Sequence, residues 1–391
     1  MAQSSDLPIV LYHYDLSPYA RRLVWYLTLR KIPYSQCIQP RMLPRPDLSL
    51  LGVSYRRIPV LSIGRDVYLD TRLIIQKLET LYPASAAHPG ISGRGADNGK
   101  GNPEHTALEQ LISARTIEGD LFSRAIQCFP PNMFAADAAF LRDRTALLTG
   151  VDNAAAPNTT NATNTTKTKN QTHTQEKERK GNKNKPAPAS SPLSPESMTR
   201  QRPAALVVVR RWVRWLEEGL LSDGRAWILD SNARGTGPSL ADIEAIWVLH
   251  WIASALPPSI LGPESSPRVA AWMKRFRGAV STATAQAPTP ARVKGEEAAK
   301  LIIGSPFAEP EGEVLKGVDP FVDAAGLVKG KMVRVWPTDY GFSHKDVGKL
   351  VAVDDAEFVI ESDGAYGSVR IHAPRHGFTI AADEGSVVSK I

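Results

Sequence analysis

The sequence predicts an α/β domain, an all-helical domain and a small β-rich module, in this order along the chain. In the first 83 residues, apolar runs of strand length alternate with segments of helical periodicity. Helical periodicity then dominates residues 105–283, apart from a polar insertion at 151–200. From residue 331 onward, short apolar or alternating segments are separated by turn residues, which is typical of strands. A chain of 391 residues is long enough for two or three domains.

A short buried strand leads into a helix near the start of the chain. Residues 9–12 form an apolar run, and the apolar residues of the following helix recur at helical spacing (Ala20, Leu23, Val24 and Leu27). Ser17 stands at the N-cap position and Pro18 at the first helical position, where its missing N–H does no harm. A hydroxyl at this place faces the free N–H groups and the positive end of the helix dipole. The Ser17 side chain is therefore a candidate for contact with a thiolate or a carboxylate.

The rest of the α/β unit follows in the order strand, hairpin, helix. A second strand is predicted at 34–39, and a loop rich in Pro and Arg follows at 40–57. Two short strands within 58–69 form a hairpin in which a glycine supplies the turn. Asp70 and Thr71 then begin a helix with one apolar face.

Three short motifs in this unit carry a family resemblance. Ser17-Pro18 opens the first helix, Ile58-Pro59 precedes the third strand, and Asp70-Thr71 opens the last helix. In these features, residues 7–83 resemble the thioredoxin-like N-terminal domain of the glutathione transferase superfamily. The Ser-Pro motif is closest to the classes that use Ser or Cys-Pro, whereas Asp70-Thr71 departs from the commoner Glu-Ser pair. With its extra β-rich module, the chain is similar to fungal transferase-like proteins.

The resemblance implies glutathione as co-substrate and gives each motif a role. Ser17 would be the catalytic residue, and its hydroxyl would stabilise the glutathione thiolate. Asp70 would bind the γ-glutamyl ammonium, and the Thr71 hydroxyl and N–H would bind a carboxylate of glutathione. A cis peptide bond at Pro59 would turn the Ile58 backbone outward, where it would pair with the cysteinyl segment like an added strand.

Several alternatives remain open at this site. Arg56 or Arg57 could reach the glycyl carboxylate, although arginines in an exposed loop are more often only solvated. Tyr12 and Tyr14, at the end of the first strand, are candidate substitutes for Ser17. A serine in place of a cysteine at position 17 argues against the thiol-exchange chemistry of the Cys-Pro classes.

The helical domain is predicted at 105–283, after a linker rich in Gly, Pro and Asn at 84–104. Its helices are expected at 105–128, 134–148, 203–221 and 267–280. Ser239 and Asp242 begin a further apolar helix with the spacing of a capping box, and we assign this motif a folding role. The tryptophans of this domain are expected in its core.

The polar insertion carries most of the positive charge of the chain. Residues 151–202 contain nine Lys or Arg and four Asp or Glu, so they contribute +5 of the formal net charge of +7. The segment 151–200 offers almost no apolar residue for burial, and we expect it to be disordered. The folded parts are then nearly neutral, which argues against nucleic acid as a partner.

A β-rich module is predicted at 284–391, with one short helix near residue 300 and strands near residues 332, 350, 359 and 370. A small barrel or a curled sheet fits these strands. The module contains His344, His372 and His376. We interpret them as scattered surface residues and predict no metal site.

Composition also limits the compartment and the partners. Cys37 and Cys128 are too few for a disulfide framework or a Cys-rich metal site. The N-terminus lacks a secretory apolar region, and the aliphatic runs are too short to span a bilayer. We therefore expect a cytoplasmic protein without a membrane partner, and a homodimer is compatible with the sequence.

These observations predict an enzyme that conjugates or transfers glutathione to a small electrophile. The alternative is a non-catalytic scaffold, in which the same fold serves protein interaction and the β-rich module is the docking surface. The three ligand motifs favour the enzyme, and the extra module favours the scaffold. Glutathione binding would separate the two.

Overall fold

The computed structural model describes residues 7–95, 101–135, 137–150, 191–229 and 237–383. The strands in these residues are β1 (Ile9–His13), β2 (Ser35–Ile38), β3 (Val60–Ile63), β4 (Asp66–Leu69), β5 (Ala291–Arg292), β6 (Met332–Pro337), β7 (Asp346–Val353), β8 (Glu357–Asp363), β9 (Ser368–Pro374) and β10 (Phe378–Ala382). The helices are α1 (Pro18–Leu29), α2 (Pro46–Ser49), α3 (Thr71–Leu81), α4 (Pro103–Ile117), α5 (Asp120–Ala125), α6 (Ala138–Thr149), α7 (Pro195–Trp215), α8 (Leu240–Ile252), α9 (Pro267–Gln286), α10 (Gly295–Ile303) and α11 (Pro320–Ala324). No helix of this part of the chain is long and apolar enough to cross a membrane.

The N-terminal unit has the element order that the sequence predicts. β1 pairs in parallel with β2 and antiparallel with β3, and β3 forms a hairpin with β4. β1 and β4 run in the same direction, because each of them is antiparallel to β3. α1 follows β1 and α3 follows β4, so both helices begin at the same edge of the sheet. The N-terminal end of β3 lies at this edge as well.

The C-terminal strands extend this sheet instead of forming a separate one. β9 pairs in parallel with β4, with Asp66 opposite Arg370 and Tyr68 opposite His372. In the described residues the strands form one ten-stranded sheet in the order β10-β6-β7-β8-β9-β4-β3-β1-β2-β5. The predicted β-rich C-terminal segment is present. Its strands β6 to β9 form an antiparallel meander, and the last strand, β10, pairs with β6. The pairing of this segment with β4 was not predicted.

The helical layer packs around α8, which is apolar on nearly all sides. Eleven of the thirteen residues of α8 are buried. The predicted capping box is present, since Ser239 accepts a hydrogen bond from the Asp242 amide and Asp242 accepts one from the Ser239 amide. Asp242 also accepts hydrogen bonds from the Ile228 amide at 2.9 Å and from the Trp272 indole at 2.7 Å. Burial raises the pKa of the Asp242 carboxyl group, against the effect of these hydrogen bonds.

The helical domain resumes earlier in the chain than the sequence indicated. Residues 151–190 lie outside the described residues. Residues 191–200, which we expected to be disordered, include the first turns of α7, and Leu193 and Met198 are buried in the core. Ser194 caps this helix and Pro195 occupies its first position. The expectation for 191–200 was therefore wrong, because its two apolar residues are sufficient to anchor a well-capped helix start.

A cluster of ionisable side chains joins the C-terminal strands to the N-terminal unit. This junction cluster consists of Asp66, Lys77, Glu309, Glu357 and His372. The His372 imidazole lies between Asp66, at 2.9 Å from Nε2, and Glu357, at 3.1 Å from Nδ1. Lys77 Nζ lies 2.6 Å from a carboxylate oxygen of Glu309 and 2.6 Å from one of Glu357. His372 is only 3% exposed, so the interpretation of this histidine as a surface residue was wrong.

The junction cluster predicts a loss of stability in alkali. Burial alone would lower the pKa of His372, but the hydrogen bonds to Asp66 and Glu357 outweigh it and raise this pKa to about 9. The protonated His372 imidazole stabilises the fold fully below the unfolded-state pKa of ~6.5, and this stabilisation is lost as the pH rises through 9. It amounts to at most about 3 kcal/mol of unfolding free energy. We therefore expect the urea concentration at the unfolding midpoint of the wild type to decrease as the pH is raised from 6.5 to 9. The midpoint of His372→Gln should decrease much less over the same range. Parallel pH profiles of the two proteins would contradict this assignment.

Candidate functional site

The three motifs singled out in the sequence meet at one edge of the sheet. Ser17 precedes α1, Pro59 precedes β3 and Asp70 precedes α3, and all three element starts lie at this edge. The sequence separates these residues by 42 and 11 positions, and the topology brings them together. The candidate site is therefore built on the ends of rigid elements.

Ser17 caps α1 from a buried position, with 3% of its surface exposed. Its Oγ accepts a hydrogen bond from the Ala20 amide at 3.2 Å, and its own amide donates to the Tyr14 carbonyl at 3.0 Å. Its hydroxyl donates to no other residue in the described part of the chain. A hydroxyl that already accepts from the helix amide is well placed to donate its hydrogen to an anion.

The Ile58-Pro59 segment has the geometry that the resemblance implied. The Ile58–Pro59 peptide bond is cis, as expected. The Ile58 backbone N–H and C=O bond to no residue among those that the structure describes. An extended peptide can therefore pair with this segment as an added strand does.

Asp70 is ionised and already has a partner in its own helix. It adopts a positive φ of 65° and accepts hydrogen bonds from the Arg72 amide at 2.9 Å and from Arg72 Nε at 3.1 Å. Burial raises the pKa of the Asp70 carboxyl group, but Arg72 and the nearby Arg57 outweigh this effect and lower it. The carboxylate required for binding an ammonium is thus present, and any ligand shares it with Arg72.

Thr71 is connected to a buried ion pair between the N-terminal unit and the helical layer. Its Oγ1 accepts a hydrogen bond from Arg22, which also pairs with Glu244 and donates to Ser113 Oγ at 3.2 Å. Arg22 belongs to α1 and Glu244 to α8, and their side chains are 1% and 3% exposed. Thr71 is 3% exposed, and its hydroxyl hydrogen and amide have no acceptor among the described residues; Arg22 fixes the side chain that bears the hydroxyl.

Both arginines before the cis peptide bond are engaged. Arg56 Nη2 donates to the Asp143 carboxylate in α6 at 3.0 Å. Arg57 Nε donates to the Tyr340 carbonyl at 2.7 Å, and its guanidinium pairs with Asp339. The loop between β6 and β7 therefore reaches the candidate site from the C-terminal strands.

The two tyrosines considered as substitutes for Ser17 differ in their surroundings. Tyr12 is fully buried in the sheet core, and burial raises its pKa far above the ordinary value. Its hydroxyl is buried without a hydrogen-bond partner among the described residues, so Tyr12 is a less accessible alternative to Ser17 than Tyr14. The Tyr14 hydroxyl is partly buried and accepts a hydrogen bond from Arg144 at 3.3 Å, so Tyr14 stays an alternative.

An aromatic surface next to Ser17 was missed at the sequence level. The ring centroid of Tyr19 lies 4.7 Å from those of Phe122 and Trp247, and Phe122 stacks on Trp251 at 5.4 Å. Tyr19 belongs to the same short segment as Ser17, but its partners lie about a hundred or more residues away. Burial and the nearby Asp70 raise the pKa of the Tyr19 hydroxyl.

Comparisons with known protein families agree with this geometry. Residues 11–86 match the family described as glutathione S-transferase, N-terminal domain. Residues 169–285 match a family described as a domain of unknown function (DUF7962). A search of curated proteins found no match.

A comparison with solved structures found matches at low sequence identity. A GST-like protein from Pseudomonas syringae is 19% identical, with a TM-score of 0.58 over 96% of this chain and 99% of that chain. The apo form of human glutathione S-transferase T1-1 is 16% identical, with a TM-score of 0.41 over 77% of this chain and 93% of that chain. A glutathione transferase homologue from Burkholderia, with bound glutathione, is 16% identical, with a TM-score of 0.32 over 70% of this chain and 100% of that chain.

The fold and the motif geometry define a thioredoxin-like domain joined to a helical layer, as in glutathione transferases. Residues 11–86 match the glutathione S-transferase N-terminal domain family, and the chain shares its fold with a GST-like protein of known structure. The resemblance indicated by the three motifs is thus confirmed. The assignment to a Ser/Cys-type class and the similarity to fungal proteins stay predictions.

Proposed function

We propose that this protein binds glutathione at the candidate site and conjugates or transfers it to a small electrophile. The observation that carries the proposal is the Ser17 hydroxyl, which accepts from the α1 amide of Ala20 and has its hydrogen free to donate. The match of residues 11–86 to the glutathione S-transferase N-terminal domain family supports glutathione as the co-substrate.

The peptide would be held by three groups around Ser17. The unpaired backbone of Ile58 would bond to the cysteinyl residue, next to the cis bond of Pro59. The Asp70 carboxylate would bind the γ-glutamyl ammonium, and the Thr71 amide and hydroxyl hydrogen would bind a carboxylate. This arrangement would place the cysteinyl sulfur beside the N-terminus of α1.

In the reaction, Ser17 would stabilise the anionic form of the sulfur. A hydrogen bond from its hydroxyl favours the thiolate over the thiol and so lowers the thiol pKa. The thiolate would attack the electrophilic carbon; a C–S bond forms, and the leaving group departs with the electron pair of the bond that breaks. The aromatic surface of Tyr19, Phe122 and Trp251 would contact the electrophile.

A non-catalytic scaffold is the second candidate function, and one observation favours it. Asp70 already bonds to Arg72, and Arg57 already bonds to Asp339 and Tyr340, so two of the ligand-binding side chains have partners within the chain. Titration calorimetry with glutathione tests the two functions. Binding supports the enzyme, and its absence at millimolar glutathione supports the scaffold. A homodimer and a cytoplasmic location also stay predictions.

The variant Asp70→Asn tests the ammonium site with little effect on the fold. Asparagine is a good N-cap residue and tolerates a positive φ, so α3 should begin as before. The loss of the negative charge should weaken glutathione binding by about ten- to a hundredfold, because a hydrogen bond to a charged group contributes about 1.5–3 kcal/mol. Calorimetry of the wild type and the variant measures this. Equal affinities would exclude Asp70 from the binding site.

A further inference from the structure

The loop between β6 and β7, residues 338–345, contacts the segment that precedes Ile58. Arg57 Nε donates to the Tyr340 carbonyl at 2.7 Å, and the Arg57 guanidinium pairs with the Asp339 carboxylate. On its other side, the Gly341 amide donates to the Leu147 carbonyl in α6 at 2.9 Å. The loop therefore connects the segment before Ile58 with the helical layer.

Close packing defines the position of this loop. A Cβ atom at Gly341, where φ is 72°, would lie 2.9 Å from Arg56 Cγ. A Cβ atom at Gly150, where φ is 69°, would lie 2.2 Å from the Phe342 ring. Glycines at these two positions allow the loop to approach both the N-terminal unit and the end of α6.

The charged groups around the site are already paired before any ligand binds. Asp70 and Glu118 pair with Arg72, and Asp339 pairs with Arg57, so three carboxylates face two guanidinium groups. These pairs are close enough to influence each other, since Arg57 contributes to the lowered pKa of Asp70. The Asp339 side chain is 53% exposed and the Arg57 side chain 21%, so water can reach their contact.

We propose that the Asp339 carboxylate occupies the position on Arg57 that the glycyl carboxylate of glutathione would take, and that it thereby weakens the binding of glutathione. This inference rests on the proposed function. Arg57 is adjacent to Ile58, whose backbone would pair with the cysteinyl residue, so Arg57 lies within reach of the residue next to the cysteine. The glycyl carboxylate of glutathione must then displace Asp339 to form the same ion pair. Asp339 is a specificity-determining residue that disfavours ligands with a carboxylate at this end.

The test is the variant Asp339→Asn with two ligands, glutathione and its glycyl ethyl ester. The ester lacks the glycyl carboxylate and keeps the γ-glutamyl and cysteinyl groups. We expect the variant to bind glutathione about two- to fivefold more tightly than the wild type, which is the range for removal of a competing exposed ion pair. Binding of the ester should stay unchanged.

Two further variants serve as controls. Asp355→Asn removes one exposed carboxylate of the same C-terminal segment without a contact to Arg57, and it should leave both affinities unchanged. Arg57→Gln should weaken glutathione binding, and in this background Asp339→Asn should have no further effect. Such a cycle separates competition at Arg57 from a general change of charge.

The outcomes distinguish this inference from the proposed function. If the wild type binds glutathione and Asp339→Asn leaves this binding unchanged or weakens it, the inference is wrong and the proposed function is unaffected. An equal gain for glutathione and for the ester would also overturn it, because the glycyl carboxylate would then play no part. If neither the wild type nor the variant binds glutathione, the proposed function fails and the inference fails with it.

Discussion

Replacement of Ser17 by alanine is expected to reduce turnover at neutral pH by roughly ten- to a thousandfold, the range found when one donor to a developing anion is lost. The Ser17 hydroxyl is the group whose free hydrogen lies at the N-terminus of α1. Glutathione binding should change little, because Asp70, Thr71 and the Ile58 backbone still hold the peptide. A higher pH should restore part of the lost rate, since more of the thiol then ionises without help.

The measurement is a pH–rate profile of the wild type and Ser17→Ala with a generic aromatic electrophile, provided that the wild type turns it over. The alanine variant also loses an N-cap, which costs about 0.5–2 kcal/mol of stability. Ser194→Ala is a matched control, because Ser194 caps α7 through the Ser197 amide at 3.2 Å and does not belong to the candidate site. Superimposable profiles of the wild type and Ser17→Ala would transfer the role to another group, and Tyr14 would be the first to examine.

The N-terminal unit was predictable because its signals are local. The N-caps Ser17 and Asp70 and the order of the elements follow from short motifs and their spacing, whereas the cis Ile58–Pro59 bond is what the family resemblance implied. Local hydrogen bonds and the fixed φ of proline at the first helical position determine such helix starts, and few distant contacts are able to override them. The capping box of α8 was predictable for the same reason.

The environment of the site was not predictable, because it depends on residues far apart in the chain. Arg57 meets Asp339 and Tyr340 across more than 280 positions, and Thr71 meets Arg22 across 49. No pattern near Arg57 indicates that an acidic residue of a distant loop will neutralise it. The sequence also gave no indication that β9 would pair with β4, since apolar alternation predicts a strand but not its neighbour.

The histidine error had a similar origin. His372 has no ligand-like spacing to other residues in the sequence, and histidine as a residue type is intermediate between buried and exposed, so its type does not predict burial. Its burial follows from the register of β9 on β4, which places it beside Tyr68 and within reach of Asp66. A charged imidazole is tolerated at this buried position because carboxylates from three segments of the chain surround it.

The second large effect is expected at the buried ion pair between Arg22 and Glu244. Their side chains are 1% and 3% exposed, and they join α1 to α8. Glu244→Ala would leave the Arg22 guanidinium buried without its counter-charge, which costs about 3–5 kcal/mol of unfolding free energy. Urea unfolding followed by tryptophan fluorescence measures this loss. Glu218→Ala is the control, because Glu218 forms an exposed pair with Arg214 and should change stability by less than about 0.5 kcal/mol.

The double variant Arg22→Met/Glu244→Leu separates the cost of an unpaired charge from the contribution of the pair itself. Within the described residues, Arg22 Nε and Glu244 Oε2 are buried without a hydrogen-bond partner, so desolvation of the pair is only partly compensated. Apolar side chains of similar volume should therefore recover most of the stability that Glu244→Ala loses. If the double variant is as unstable as the single one, the ion pair itself, and not merely the neutralisation of a buried charge, holds α1 against α8.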